Sequence, residues 1–397
     1  MCDPERPRHT GRHIVLLRDG LGKLGVEALH RVAGVRVGVS SDREGTVRGQ
    51  AVPAGEGVLF HRLGAGVVHV DPDQIAALRA STGSDVVSIE PERIVRAIQV
   101  ASDPAGGSET PLPSEAQDTW GLQTTRVTQS RFSGHGVCLA VLDTGLDLTH
   151  PDFAGRSIVS QSFVAGESVD DANGHGTYCA GVACGPSSPA QPPRYGVAGG
   201  ANLYIGKVIG DDGNGADGNI LAGIDWAVRS GCAIVSLSIG TPVAPGEPYS
   251  GVYEQVAQRA LAAGTLIIAA AGNDSVRPDS IAPVDHPANC PSILAIAAID
   301  AYLRIAPFSC GGVNGDGGEI DLAAPGVAIR SSWPHPDLYR TDSGTSMATP
   351  YVAGIAALLA EANPSIRGRD LQALLSRCAQ PLPLPARDVG AGLIQAP

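Results

Sequence analysis

From residue 118 onward the chain keeps returning to one pattern. GVCLAVLDTG, ANLYIGKVIG, CAIVSLSIG, TLIIAAAGN and SILAIAAID are each an unbroken apolar run that stops at Gly, Asn or Asp. Runs without polar alternation suit strands covered on both faces of a parallel sheet. Between them lie GNILAGIDWAVRSG and YEQVAQRALAAG, whose apolar positions recur at helical spacing. The alternation predicts an α/β fold, doubly wound on a mainly parallel sheet. In such sheets sites form beyond the carboxyl ends of the strands, so the polar residues just after each run carry the interest.

Residues 13–98 predict a smaller α+β unit. HIVLL (13–17) is a strand, LGKLGVEALHRVA (21–33) has helical periodicity and GAGVVHV (64–70) is a second strand. DPDQIAALRAS then starts a helix with Asp71 as its cap and Pro72 in its first turn, and DVVSIEP (85–91) closes the unit. The next stretch, VASDPAGGSETPLPSEAQ, is a linker by its Pro, Gly, Ser and acidic content. The expected organisation is a unit at 13–98, a linker at 99–117 and a large domain at 118–397.

Composition narrows the function classes. Apolar residues are 43% and charged residues 17% of the 397, the balance of a globular protein with a sizeable core. The net charge of −12 is uneven: residues 1–112 carry 13 basic and 14 acidic side chains, residues 113–397 carry 15 and 26. Such a surface argues against nucleic acid as a partner and welcomes basic peptides. No stretch is long and apolar enough to span a membrane, and the first twenty residues show no apolar core of secretory length, which points to the cytoplasm. The eight cysteines fit no zinc spacing. Cys138 and Cys232 sit in apolar runs, where a buried thiol is expected.

Four polar residues stand where chemistry is expected. Asp143 follows the first run in VLDTG, His175 lies in NGHGTYCAG, Asn273 follows TLIIAAAG, and Ser346 lies in TDSGTSMATPYVAG just ahead of an apolar helical pattern. A serine hydroxyl is a weak nucleophile until a base takes its proton, and an imidazole base works best when a carboxylate fixes its tautomer. A helix start aims unpaired N–H groups at an oxyanion, and the Asn273 amide is a further donor. Each residue has a structural alternative: Asp143 a turn cap, His175 a core histidine, Asn273 a left-handed turn residue, Ser346 a helix cap. Their conjunction is what those alternatives leave unexplained.

D-T-G, H-G-T and G-T-S-M-A-T-P, in the order Asp, His, Ser, resemble the subtilisin-like serine proteases, or subtilases (peptidase S8), and the likeness runs from Trp120 to GAGLIQA and includes AAAGN. The resemblance implies a subtilisin-like fold and a serine endopeptidase. In it Asp143 orients the base, His175 is the base, Ser346 is the nucleophile, and Asn273 with the Ser346 N–H forms the oxyanion hole. The 13–98 unit, ending SIEPERIVRAI, resembles the family's inhibitory propeptide, which implies a zymogen with its own propeptide as intramolecular inhibitor. Protein or peptide substrates and a monomer are expected, and secretion is the family's habit. One rival is an inactive subtilase-like binding module. The other, an α/β-hydrolase esterase, needs G-x-S-x-G and the order Ser, acid, His; here the serine motif is G-T-S-M-A and the serine comes last.

Departures from the family's pattern concern metal and specificity. Tyr178 and Tyr351 stand where the family usually has histidines outside the triad. Asp152 matches the partner of the family's calcium loop, but the loop here, CGPSSPAQPPRYGV, offers no Asp or Asn ligand, so no metal or other cofactor is expected to be required. DDGNGADGN (211–219) is read as a cleft edge rather than a calcium loop. By alignment, Ser238, Ile239, Gly240, Ala270, Ala271 and Gly272 line the pocket for the side chain before the cut bond, with Asp285 of VDHPAN at its floor. Asp171, Asp217 and Asp274 are placed near neighbouring subsites. A carboxylate at a pocket base selects Arg or Lys, so a preference for basic residues is expected, although the expected propeptide end, near Ile98, is not basic.

Overall fold

The computed structural model of the chain describes residues 8–21, 24–39, 53–83, 85–98 and 114–397. The N-terminal unit runs β1 (His9–Leu17), α1 (Leu24–Ala33), β2 (Arg36–Val39), β3 (Glu56–Phe60), β4 (Ala65–His69), α2 (Pro72–Ala80) and β5 (Val86–Ala97). Asp71 caps α2 through a reciprocal pair: its carboxylate accepts the Gln74 N–H at 2.9 Å and the Gln74 side chain accepts the Asp71 N–H at 3.2 Å. The unit starts earlier than residue 13, at His9, and its closing strand does not stop at 91 but continues to Ala97. The strands β2 and β3 were not legible in the sequence, because Gly38 and Gly57 interrupt already short apolar patterns. Of the expected linker 99–117, residues 99–113 lie outside the described residues.

IVLL (14–17) is apolar throughout because β1 serves two cores. Val15 and Leu17 pack with Leu29, Val68 and Leu78 inside the unit, while Ile14 and Leu16 join the core of the larger domain with Val252, Val256 and Tyr253. Alternate side chains point to opposite faces of a strand, so burial on both faces removes the alternation.

The larger domain continues with α3 (Trp120–Thr124), β6 (Cys138–Asp143), β7 (Val159–Ser162), α4 (His175–Cys184), β8 (Asn202–Lys207), β9 (Asn214–Ala216), α5 (Asp217–Arg229), β10 (Ile234–Leu237), β11 (Ile239–Gly240) and α6 (Gly251–Ala262). It closes with β12 (Leu266–Ala270), β13 (Leu294–Ile299), β14 (Leu322–Pro325), β15 (Ile329–Ser332), β16 (Tyr339–Asp342), α7 (Thr345–Ala362), α8 (Gly368–Cys378) and α9 (Ala386–Val389). Seven strands form one sheet in the order β14-β13-β12-β10-β6-β8-β7, with every neighbouring pair parallel. The five apolar runs of the sequence are β6, β8, β10 with β11, β12 and β13. On one face α4 and α7 cover the sheet; on the other lie α5 and α6. From β6 the chain goes to the edge strand β7 and returns to β8 on one side, and from β10 it winds outward through β12, β13 and β14 on the other, so the switch point lies between β6 and β10. No helix among the described residues is long and apolar enough to cross a membrane.

The two parts are joined by β5. It leaves the N-terminal sheet, order β2-β3-β4-β1-β5, and runs antiparallel between two edges of the larger domain. Ala97 and Arg96 pair with Ile239 and Gly240 of β11, and Ile94, Val95 and Arg96 pair with Ala216, Gly215 and Asn214 of β9. The stretch read as a cleft edge, 211–219, thus supplies one wall of the groove that β5 fills.

Candidate active site

Asp143 ends β6 beside the switch point, and its carboxylate is 2.7 Å from His175 Nδ1. The Thr144 N–H also donates to it, at 2.8 Å. His175 opens α4 directly after Gly174, whose φ of 101° lies in the left-handed region and whose α-hydrogen side abuts the Trp333 ring; a Cβ there would come within 2.5 Å of it. Any other residue at 174 would push the helix start, and the imidazole with it, away from Asp143. Both partners of the pair are buried. Burial alone disfavours a charged imidazole, but the adjacent Asp143 carboxylate outweighs it and holds the His175 pKa well above the ordinary range. Its Nε2 has no hydrogen-bond partner among the described residues.

Ser346 is the second residue of α7 and is fully buried. Its hydroxyl lies 2.7 Å from the Ile98 carbonyl oxygen and 3.0 Å from that of Ser238, and can donate to one of them at a time. Asn273 follows β12. Its side-chain oxygen accepts from the Thr345 N–H and hydroxyl, each at 2.9 Å. This fixes the amide orientation and leaves Nδ2 buried without a partner, facing Gly344, where a Cβ would lie 3.0 Å from it.

The residues expected to line the pocket lie along the β11 edge, at the end of β12 and at Asp285. Ser238 O lies 3.4 Å from the Ile98 N–H, and Ile239 and Gly240 continue the edge that pairs with β5. Ala270 and Ala271 are buried, and the Asp285 N–H donates to Ala271 O at 2.9 Å. A Cβ on Gly240 would lie 2.9 Å from Ile98 Cδ1 and 3.2 Å from Asp285 Cβ, and one on Gly272 would lie 2.6 Å from the Asp285 carboxylate. Only glycine at these two positions leaves room for both Ile98 and Asp285. Ligating atoms of Asp285, Asp274 and Cys310 lie within 4.8 Å of one another. Partial burial raises the Asp274 pKa, and burial followed by the Asp285 charge raises that of Cys310.

Of the three aspartates expected near subsites, Asp171 turns its carboxylate to the start of α4. Its buried carboxylate accepts from Thr144 Oγ1 (2.8 Å), Gly174 N (2.8 Å) and Thr177 N (2.8 Å) and Oγ1 (2.6 Å). It is spent holding the start of α4, so it has nothing left for a substrate. Asp217 is also buried, but it does reach β5: its carboxylate accepts the Arg93 N–H at 2.8 Å. Asp274 is partly exposed, with its carboxylate close to the ligating atoms of Asp285 and Cys310.

Sequence reasoning missed several neighbours of the site. The Cys179 sulfur lies 3.8 Å from His175 Nδ1 and 3.6 Å from Ser346 O; its place one turn after His175 was a usable signal. Lys207 is fully buried at the end of β8, where its ammonium donates to the carbonyls of Thr144 (2.7 Å) and Asp170 (3.0 Å) and pairs with Asp211 and Glu167. It ties together the loops around Asp143, and nothing in GKVIG announced that.

A family model described as the subtilase family matches residues 134–392. The chain belongs to the subtilase family. It is 38% identical over 250 residues to subtilisin BL of Lederbergia lenta, covering 62% of this chain and 85% of that one. It is 31% identical over 324 residues to alkaline serine exoprotease A of Vibrio alginolyticus, covering 81% of this chain and 56% of that protein. Among solved structures, fervidolysin from Fervidobacterium pennivorans, described as a keratinolytic enzyme related to subtilisin, superposes with a TM-score of 0.72 at 23% identity, covering 99% of this chain and 61% of that one. That likeness establishes the subtilisin-like fold. As a subtilase the chain is a serine endopeptidase, a hydrolase acting on proteins.

Two departures of this subtilase from its family find physical counterparts. Tyr178 donates its hydroxyl to Ile329 O and receives the Asp342 N–H at 3.2 Å, while Tyr351 lies against Gly121 in the core. At the position of the calcium partner, Asp152 accepts from Ala190 N (2.6 Å), Tyr195 OH (2.5 Å) and Tyr339 OH (3.0 Å). Calcium needs a shell of oxygen acceptors; this carboxylate is surrounded by donors, and the residues present do not fit the ion.

Proposed function

We propose that this subtilase cuts peptide bonds through Asp143, His175 and Ser346, with Asn273 and the Ser346 N–H receiving the oxyanion, and that it is made as a zymogen inhibited by its own N-terminal unit. One observation carries the reading: β5 lies in the groove as an antiparallel strand, with the Ile98 carbonyl on the Ser346 hydroxyl. A turn of the Ser346 side chain toward the unpartnered His175 Nε2 prepares the attack. Ser346 Oγ adds to the carbonyl carbon as its proton passes to His175, and the oxyanion is received by Asn273 Nδ2 and the backbone N–H. His175 then protonates the leaving amine, and water hydrolyses the acyl-enzyme.

Contacts away from the groove support the inhibitory role. Glu92 is fully buried and accepts from Arg12 and from the Gly218 N–H at the start of α5; Glu90 accepts from Ser250 Oγ (2.6 Å) and the Val252 N–H (3.1 Å) at the start of α6. Carboxylates favour helix N-termini. Arg259 of α6 grips the Leu17 carbonyl at 3.0 Å and also bonds Leu63 O and Asp19.

For specificity, Ile98 stops against Gly240, and the carboxylates of Asp285 and Asp274 lie near its pocket. A longer cationic side chain fits the remaining chemistry, which supports a preference for Arg or Lys before the cut bond. Chromogenic peptides ending in Arg against Leu or Phe test it, and faster release from the apolar ones rejects it. The zymogen is tested by N-terminal sequencing of wild type and Ser346→Ala: the wild type should begin at Gln99 and the variant remain uncut. Fluorophosphonate labelling of Ser346 separates an enzyme from an inactive binding module.

A further inference from the structure

The ladder between β5 and β9 ends abruptly. Ile94 pairs with Ala216, and Ala216 is the cap of α5, so the wall turns into a helix and offers no further strand carbonyl. The next N–H of β5, that of Arg93, goes instead to Asp217 Oδ2 at 2.8 Å. Asp217 Oδ1 lies 3.1 Å from His286 Nε2, and the Asp217 carbonyl receives the Tyr253 hydroxyl at 3.2 Å. The Tyr253 ring stands edge-on to His286 with centroids 4.6 Å apart. The carboxylate is fully buried. Burial of this kind requires pairing, and the imidazole together with the first turn of α5 supplies it. With one oxygen on His286 and its own backbone carbonyl on Tyr253, Asp217 therefore presents the other oxygen to the backbone of whatever strand fills the groove.

Counted back from Ile98, Arg93 is the sixth residue. We propose that Asp217 forms a binding site for the main-chain N–H of the sixth residue on the amino side of the cut bond, so that the enzyme favours peptides extending at least that far. The inference rests on the reading above, that β5 lies as a substrate lies. A carboxylate can only accept, so the site recognises an N–H of any residue type and disfavours proline. A peptide that stops at the fifth residue leaves the charge without that partner.

The test uses the full-length chain, its active fraction titrated with a fluorophosphonate, and three internally quenched peptides identical from the fifth residue before the cut onward. The first is acetylated at the fifth residue, the second carries an acetylated alanine at the sixth, and the third replaces that alanine by acetylated lactic acid, which exchanges N–H for an ester oxygen. A hydrogen bond to a charged group predicts a kcat/KM for the second peptide roughly ten- to a hundredfold above the other two. In Asp217→Ala the ratio of the second to the third should fall to about one. Equal rates for these two peptides in the wild type would overturn the site, as would a ratio that survives in the variant. The wild-type comparison does not depend on how the variant folds. The underlying reading fails by a different sign, a mature N-terminus elsewhere than at Gln99.

Discussion

Replacing Asn273 separates two roles that one side chain combines. Its oxygen accepts twice from Thr345, holding the residue before Ser346, while its nitrogen lies beside Gly344 without a partner. Asn273→Ala removes both functions. Two neutral hydrogen bonds at about 1 kcal/mol each predict a loss of roughly 2 kcal/mol in stability, added to the loss of an oxyanion donor. For a donor of this kind, measured in a subtilisin, that loss is about 2.7–4 kcal/mol, or 10²–10³ in kcat. Asn273→Asp keeps an acceptor for Thr345 but offers the oxyanion no donor. Its kcat should fall at least as far, its KM should change little, and most of its stability should remain. Steady-state kinetics with a chromogenic peptide, read beside thermal melts of both variants, distinguishes the two effects. A kcat within tenfold of wild type in Asn273→Asp would refute the assignment of Nδ2 to the oxyanion.

Other outcomes follow from the same geometry. Asp143→Asn should lower kcat by about 10⁴. Because Asp143 holds the His175 pKa up, the wild-type base is lost as pH falls through that raised value, and the variant's acid limb in a pH profile of kcat/KM should move to lower pH. Glu92→Ala leaves Arg12 and the start of α5 without their shared buried acceptor, a cost of about 3 kcal/mol; freshly purified variant should show higher activity, and unchanged latency would count against docking through Glu92. Asp152→Ala strands two tyrosine hydroxyls and an N–H, a loss of about 3 kcal/mol that melting should report equally with calcium and with a chelator. Asp285→Ser should erase any advantage of Arg-ending over Leu-ending chromogenic peptides.

The sequence by itself determined the sheet and singled out the groups proposed to react. Five apolar runs became strands of the parallel sheet because burial on both faces suppresses alternation, and the polar residue that ended a run stood at a strand's carboxyl end. D-T-G, H-G-T and G-T-S carried their chemistry in local backbone form, which neighbours along the chain can specify: a strand end, a glycine-led helix start, a helix N-terminus. The tertiary structure alone decided which acids face the groove. Asp171 and Asp217 are both buried aspartates, yet one is consumed by Thr144, Gly174 and Thr177 while the other receives the Arg93 N–H. It also decided that β5 would run past residue 91 into the groove, and that Lys207 would knot the loops behind Asp143. The contacts of Asp171 with Thr144, of Asp217 with Arg93 and of Lys207 with Thr144 join residues far apart in sequence, and the direction a carboxylate or ammonium takes depends on which donors and acceptors the fold brings to it, a quantity no local pattern encodes.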